Sequence, residues 1–238
     1  MCGIVGLHLR DRGLHARLGT LLSDMLGRIA ERGPDSAGIG LYGDTATGAG
    51  QPAYTAGDFT VYKGVGPPAG VAASIDLARR TGHQGLAHTR MATESAVTAA
   101  HCHPFTPGGD LALVHNGSFA NHATIRRALV RDGVRFDTDN DSEVAAHFIA
   151  SSLADGDNLE KALGKVCETF DGFFTLLATT ATQFAVVRDV VGGKPLLIAE
   201  TEAYVAVASE YRALAGLPGI DTARVFEPAP EEVHLWSR

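Results

Sequence analysis

Cysteine is scarce in this 238-residue chain: Cys2, Cys102 and Cys167 make neither an even disulfide framework nor a CxxC pair. That usage fits a reduced compartment, and a cytoplasmic location is expected. Basic charge is also short. Twenty Lys and Arg against 27 Asp and Glu leave a formal charge of −7, and the basic residues are scattered. A phosphate-tracking surface, and with it a nucleic-acid partner, is therefore not expected. No apolar run approaches the roughly 20 residues of a membrane-spanning helix. The first residues lack the basic stretch, apolar core and cleavage site of a signal peptide, so no membrane partner is expected either.

What is present points to a globular protein. Hydrophobic residues make up 45% and charged residues 20% of the chain, enough apolar material for a substantial core at this length. No internal repeat and no convincing linker interrupts it, so a single domain over residues 1–238 is the simplest expectation. Gly3 to Leu9 has the glycine-punctuated look of a strand buried on both faces, although periodicity alone does not exclude a helix there. Leu18, Leu21, Leu22, Met25, Leu26 and Ile29 recur at helical spacing, and that helix should stop at ERGPDSAG, where Gly33 and Pro34 break it. AGIGLY, FTVYK, QGLAHTR and LALVHNG read as strands, residues 43–58 as a surface loop or meander, and 71–80 as a helix. Further helices are expected at 121–132, 141–153 and 158–170. GFFTLLATT, QFAVVRD, KPLLIAE and AYVAVAS then follow as strands whose short turns predict antiparallel neighbours. About eight to ten strands and four helices, grouped rather than alternating, indicate an α+β fold.

The opening MCGIVGLHLR carries a chemical question. Loss of the initiator methionine, common before a small residue, would give Cys2 both a thiol and a free α-amine. Such an amine has a reference pKa of roughly 7.7 to 8.0, against about 10.4 for lysine, so it can act as a base near neutral pH. Nucleophile and base would then belong to one residue. The alternative is that Cys2 is a small apolar filler at a strand start.

MCGIVGL, ERGPDSAG, AHTRMAT, HPF, VHNG and NDSEV, in this order and spacing, resemble the class II glutamine amidotransferases, the N-terminal-nucleophile glutaminases. The resemblance runs on through RDVVGGKPL, VASEYRAL and EEVHLW and covers essentially the whole chain. It implies a four-layer αββα sandwich of two antiparallel sheets, with Cys2 at the edge of a central strand. It further implies that Arg90 holds the α-carboxylate of glutamine and that Asp141 pairs with its α-ammonium, with Asp139 as the neighbouring register. Asn116 and Gly117 would form the oxyanion hole, Arg32 would fix the nucleophile's terminus, and Thr93 and His103 would line the glutamine pocket. No metal and no organic cofactor is implied on this chain. The sequence departs from the amino-sugar branch in the loop after Arg90, where Met91, Glu94 and Ser95 replace a tryptophan, a histidine and a glycine.

Each residue also has an ordinary reading. Arg90 and Asp141 could be surface charges, and Asn116-Gly117 is a common turn dipeptide. His101, Cys102 and His103 lack the spacing of a zinc pair. His88 and His115 read as hydrogen-bonded core histidines without a catalytic assignment.

Family members commonly carry a synthase domain on the same polypeptide. Short stand-alone members with MCGIVGL and RGPDSAG resemble the amidotransferase subunits of glutamate-synthase-like enzymes, including N-methylglutamate synthase. The expectation is a hetero-oligomer with a separate flavin-dependent synthase subunit, the flavin lying on that partner. A free-standing γ-glutamyl amide hydrolase and a non-catalytic subunit that senses glutamine or glutamate are the alternatives.

Overall fold

The structure, a computed structural model, describes residues 2–43, 49–92 and 96–238. The chain forms two compact units, one of residues 1–104 and 195–227, the other of residues 105–194 and 228–238. Its elements in chain order are β1 (Gly3–Leu9), α1 (Leu18–Arg28), β2 (Ser36–Tyr42), β3 (Tyr54–Ala56), β4 (Phe59–Val65) and α2 (Pro68–Ser74), followed by β5 (Gln84–Arg90), β6 (Ala112–Phe119), α3 (His122–Arg131), α4 (Asp141–Ala154) and α5 (Leu159–Thr169). The last part holds β7 (Gly172–Thr179), β8 (Gln183–Arg188), β9 (Leu197–Glu200), β10 (Tyr204–Ala208), α6 (Tyr211–Leu214), β11 (Arg224–Phe226) and β12 (His234–Ser237).

The first unit holds an eight-stranded sheet in the order β11-β9-β10-β1-β5-β2-β4-β3, and every strand pairing in it is antiparallel. β1 lies between β10 and β5, as the apolar composition of GIVGLHL on both faces requires. Side chains alternate across the pleat. Val5, Leu7 and Leu9 join Ala37, Ile39, Leu41 and Ala87 in a core covered by Leu18, Leu22, Met25 and Leu26 of α1. Ile4, His8, Gln84 and His88 stand on the opposite face, where His8 Nδ1 and Gln84 Oε1 lie 2.7 Å apart.

The second unit holds a four-stranded antiparallel sheet, β12-β8-β7-β6. Leu113, Leu176, Ala178, Ala185 and Val187 pack with Val144, Ala145 and Ile149 of α4 and with Leu163 and Val166 of α5. Two antiparallel sheets with their helices place the protein in the α+β class.

The expected elements recur with identifiable differences. The helix expected at 71–80 begins earlier, at Pro68, because proline suits the first helical turn. It ends at Ser74, and the left-handed Asp76, φ 51°, separates it from a single 3-10 turn at Leu77–Arg79. β3 lies inside the stretch expected to be a loop, and β11 and β12 were not anticipated. All three are three or four residues long, too short to establish a period.

Candidate active site

Cys2 stands one residue before β1, and its surroundings in the first unit come from three distant stretches of chain. Arg32 follows α1 in a short 3-10 turn; its Nε donates to Cys2 O at 2.9 Å, while its Nη1 pairs with Glu210 Oε1 at 2.7 Å. Met91, just past β5, donates its N–H to Cys2 Sγ at 3.4 Å. Ser209 donates its N–H to Ile4 O and accepts from Ile4 N through Oγ, closing the start of β1 against the end of β10.

ERGPDSAG and HTRMA meet backbone to backbone. Pro34 bridges Arg90, and Asp35 N donates to Arg90 O. A side chain at Gly33 would put its Cβ 2.5 Å from Arg90 N, so only glycine permits this approach. Asp35 Oδ2 accepts from Ala92 N at 2.8 Å, which fixes the strand exit that presents Met91 to the thiol. Arg90 is 5% exposed and donates through Nη1 to Ala96 O at 3.0 Å. His103 is buried, its ring centroid 4.1 Å from that of His88. Thr93, with Glu94 and Ser95, lies outside the described residues.

The three thiols differ in chemistry. Burial pushes the Cys2 thiol up, but a hydrogen bond from the His88 side chain, the charge of that ring and the Met91 backbone bond outweigh it, and the pKa falls from 9.0 to about 7. Cys167 goes the other way, to about 11, through burial and the nearby carboxylates of Glu231 and Asp189. Cys102 is buried, with Sγ 3.3 Å from Thr98 O. Only Cys2 combines partial exposure with ready ionisation, the conditions for a reactive cysteine. Among the described residues there is no group of three or more His, Cys, Asp or Glu that could hold a metal ion. A cavity of about 580 Å³ in this unit lies at α1 and α2, lined by small and apolar side chains such as Leu26, Ala72 and Leu77 rather than by any of these residues.

In the second unit, Asn116 and Gly117 sit within β6, opposite Thr175 and Phe174 of β7. They belong to the strand ladder, not to a turn, and this removes the common reading of an Asn-Gly dipeptide. Gly117 has φ 147°, and a Cβ there would collide with Phe173 O and lie 2.7 Å from Phe174 Cα. Asp141 opens α4. Its Oδ2 accepts from Phe119 N at 2.9 Å, two residues beyond Gly117, and Ser142 Oγ donates to its Oδ1 at 3.3 Å. The same hydroxyl lies 2.8 Å from Nδ1 of buried His115. Asn140 caps the helix through Ser142 N, and the carboxylate of Glu143 accepts from Asp137 N and Thr138 N. Asp139 lies in the loop just before that cap, outside the helix.

The structure thus gathers Cys2, Arg32, Arg90 and His103 in one unit, and Asn116, Gly117 and Asp141 in the other. Sequence reasoning read His88 only as a core histidine, whereas it lowers the thiol's pKa, and passed over Glu210 behind Arg32 and Asp35 behind Met91. The only signal for each was its place inside a motif, HTR, SEYRAL or RGPDS.

Comparison with known proteins defines the class. A family model described as a glutamine amidotransferase domain matches residues 88–216. The chain is 41% identical, over 295 aligned positions, to the glutamine amidotransferase-like protein GlxB of Rhizobium meliloti, covering 99% of this chain and 98% of that one. It is 36% identical to a putative glutamine amidotransferase of Methanothermobacter thermautotrophicus over 75% of this chain and 58% of the relative. Among solved structures, the allosteric regulatory enzyme of purine biosynthesis superposes with a TM-score of 0.79 at 26% identity, over 99% of this chain and 47% of that one. The chain belongs to the glutamine amidotransferases, in their class II, and has the N-terminal-nucleophile amidotransferase fold.

Proposed function

We propose that this chain hydrolyses glutamine to glutamate through a γ-glutamyl thioester on Cys2. In this reading it serves as the amidotransferase subunit of a glutamate-synthase-like enzyme and supplies nitrogen to a separate, flavin-dependent synthase chain. N-methylglutamate synthase is one enzyme of that kind. The observation that carries the reading is the Cys2 thiol, which ionises near pH 7 at the head of a central strand, with Arg32 on its own carbonyl. The likeness to GlxB over nearly the full length of both chains supports the amidotransferase part of this reading.

The chemistry runs as follows. Cys2 Sγ attacks the carboxamide carbon, and the α-amine set free by loss of Met1 takes up the thiol proton through a water molecule and returns it to the leaving nitrogen. The side-chain amide of Asn116 and the N–H of Gly117 receive the oxyanion. Ammonia leaves, and water cleaves the thioester to glutamate. Arg90 holds the α-carboxylate through its planar fork, and Asp141 holds the α-ammonium. His103 lines the pocket, and Arg32 fixes the terminal residue. No metal or organic cofactor takes part on this chain.

The test is release of ammonia from glutamine by the purified chain, alone and with candidate synthase chains, alongside mass spectrometry of its N-terminus. Glutaminase activity that depends on Cys2 and rises with a flavoprotein partner supports the subunit. Full activity without a partner favours a free-standing γ-glutamyl hydrolase. Binding of glutamine without turnover favours a sensor.

A further inference from the structure

We propose that Glu210 is a positioning residue for the nucleophile: it holds the Arg32 guanidinium on the Cys2 carbonyl, and through that contact fixes how the terminal thiol and α-amine face the substrate. The proposal deepens the glutaminase reading and rests on it for its kinetic consequence.

The ladders that flank β1 end at different points. On the β5 side the pairing runs out to Gly3 opposite Thr89, whereas on the β10 side it stops at Val5 opposite Ala208. Ser209 extends the hold to Ile4: its N–H donates to Ile4 O at 3.0 Å, and its Oγ accepts from Ile4 N at 2.9 Å. Cys2 lies beyond both ladders. A chain end is poorly ordered unless it is tied down, and once Met1 is lost the thiol and the α-amine hang together from the Cys2 Cα. Rotation about the bond from that carbon to the carbonyl swings both groups relative to the strand. The carbonyl is therefore the handle by which the residue is set.

Arg32 takes hold of that handle through Nε, 2.9 Å from Cys2 O. Its stem crosses Gly3. A Cβ at Gly3 would lie 3.3 Å from Arg32 Cδ, 2.7 Å from Ile29 Cδ1 and 2.8 Å from Thr89 Oγ1, so glycine leaves the arginine room to reach back. An arginine has many rotamers, and one bond through Nε does not select among them. Glu210 does: its Oε1 accepts from Arg32 Nη1 at 2.7 Å, so the guanidinium is gripped at both the carbonyl and the carboxylate. The carboxylate is itself fixed, since Oε2 pairs with Arg212 Nε at 2.5 Å. Arg212 in turn meets Glu31 at 3.4 Å, but Glu31 is 88% exposed and that outer pair adds little. The Arg32 side chain is 9% exposed, a setting in which a charge-assisted bond keeps its strength. Because Glu210 directly follows Ser209, one short stretch of chain holds Ile4 directly and Cys2 through Arg32.

The test is a double-mutant cycle read on ammonia release from glutamine by the full chain, with loss of Met1 confirmed by mass. Glu210→Ala should lower kcat about 10-fold and leave KM within about twofold, because the residue grips the nucleophile's backbone and not the substrate. Glu210→Gln keeps an oxygen for Arg32 Nη1 and should restore most of that loss. In an Arg32→Ala background, Glu210→Ala should cost no further kcat, since it acts through the arginine. An unchanged kcat in Glu210→Ala, a loss carried by KM, or losses that multiply in the double variant would overturn the proposal. Hydrogen exchange supplies a readout that needs no glutamine. The Ile4 N–H, bonded to Ser209 Oγ, reports fraying from the terminus, and in Glu210→Ala it should exchange about 10-fold faster while α1 and β5 exchange as in wild type. Wild-type exchange at Ile4, or exchange that quickens uniformly as in a merely destabilised fold, rejects the proposal. A wild-type chain that releases no ammonia sinks the glutaminase reading, and Ile4 exchange then still decides the anchor. Ammonia release with additive losses sinks the anchor and leaves that reading standing.

Discussion

Around Cys2 nearly every fixing bond spans the chain, whereas around Asp141 most are short-range. Arg32 and Cys2 are 30 residues apart, Met91 and Cys2 89, Arg32 and Glu210 178, and Ile4 and Ser209 205. In the other unit, Asn140 caps Ser142 two residues on, Glu143 binds Asp137 and Thr138 at six and five residues, and Asp141 reaches Phe119 at 22. The difference has a chemical reason. A reactive thiol must be held by groups that tune its charge, and a strand offers none of its own between its neighbours. An aspartate at the start of a helix is held by the cap and the first turn that the same few residues already form. The nucleophile's environment thus depends on the whole first unit, and the aspartate's on one stretch of chain and the strand beside it.

That contrast can be broken at four points. Cys2→Ala removes the nucleophilic thiol and should reduce glutamine-dependent ammonia release by about 10⁴-fold or more, with thermal stability nearly unchanged. Gly117→Ala attacks the second unit alone. Its methyl has no room against Phe173 and Phe174, so stability should drop by about 3 kcal/mol. Hydrogen exchange should quicken in β6 and β7 before β1 and β5. Equal protection in both sheets would mean that the strain is shared.

Arg90→Ala should cut kcat/KM for glutamine by about 10²-fold, mostly through KM, if the arginine grips the α-carboxylate; an unchanged KM would remove that role. Glu210→Gln should have the smallest effect, about 1 kcal/mol at pH 7. The Arg32 hydrogen bond holds the Glu210 carboxyl below its ordinary value of 4.5, against a smaller upward push from burial. A lowered folded value means that the stabilisation is complete above about pH 4.5 and is lost as pH falls through that lower value. Denaturation curves of wild type and Glu210→Gln should therefore converge on acidification below that point. A gap that persists at low pH would show that packing, not the ion pair, holds Glu210.

Much of the architecture is legible in the residues. The Leu18–Ile29 stripe becomes α1 with one buried face, GIVGLHL becomes a strand buried on both sides, and the helix expected at 141–153 becomes α4. The short turns between β7, β8, β9 and β10 foretell antiparallel pairing, but not that β7 and β8 join one sheet while β9 and β10 join another. No local pattern encodes that division, because it depends on which edge each strand finds. The site divides in the same way. Cys2, Arg90, Asn116 and Asp141 are marked by their motifs, while Asp35, His88 and Glu210 look like ordinary polar residues until folding sets them against Ala92, Cys2 and Arg32.

By itself, the sequence determined the α+β class, the core stripes and the family, because these depend on spacing within one element or on the order of short motifs. The tertiary structure decided the thiol's acidity. A cysteine at position 2 is chemically ordinary until β5 lies beside β1 and brings the His88 ring and the Met91 N–H to its sulfur. Charge stabilisation falls off over a few ångströms, and only the fold sets distances that small between residues more than eighty positions apart.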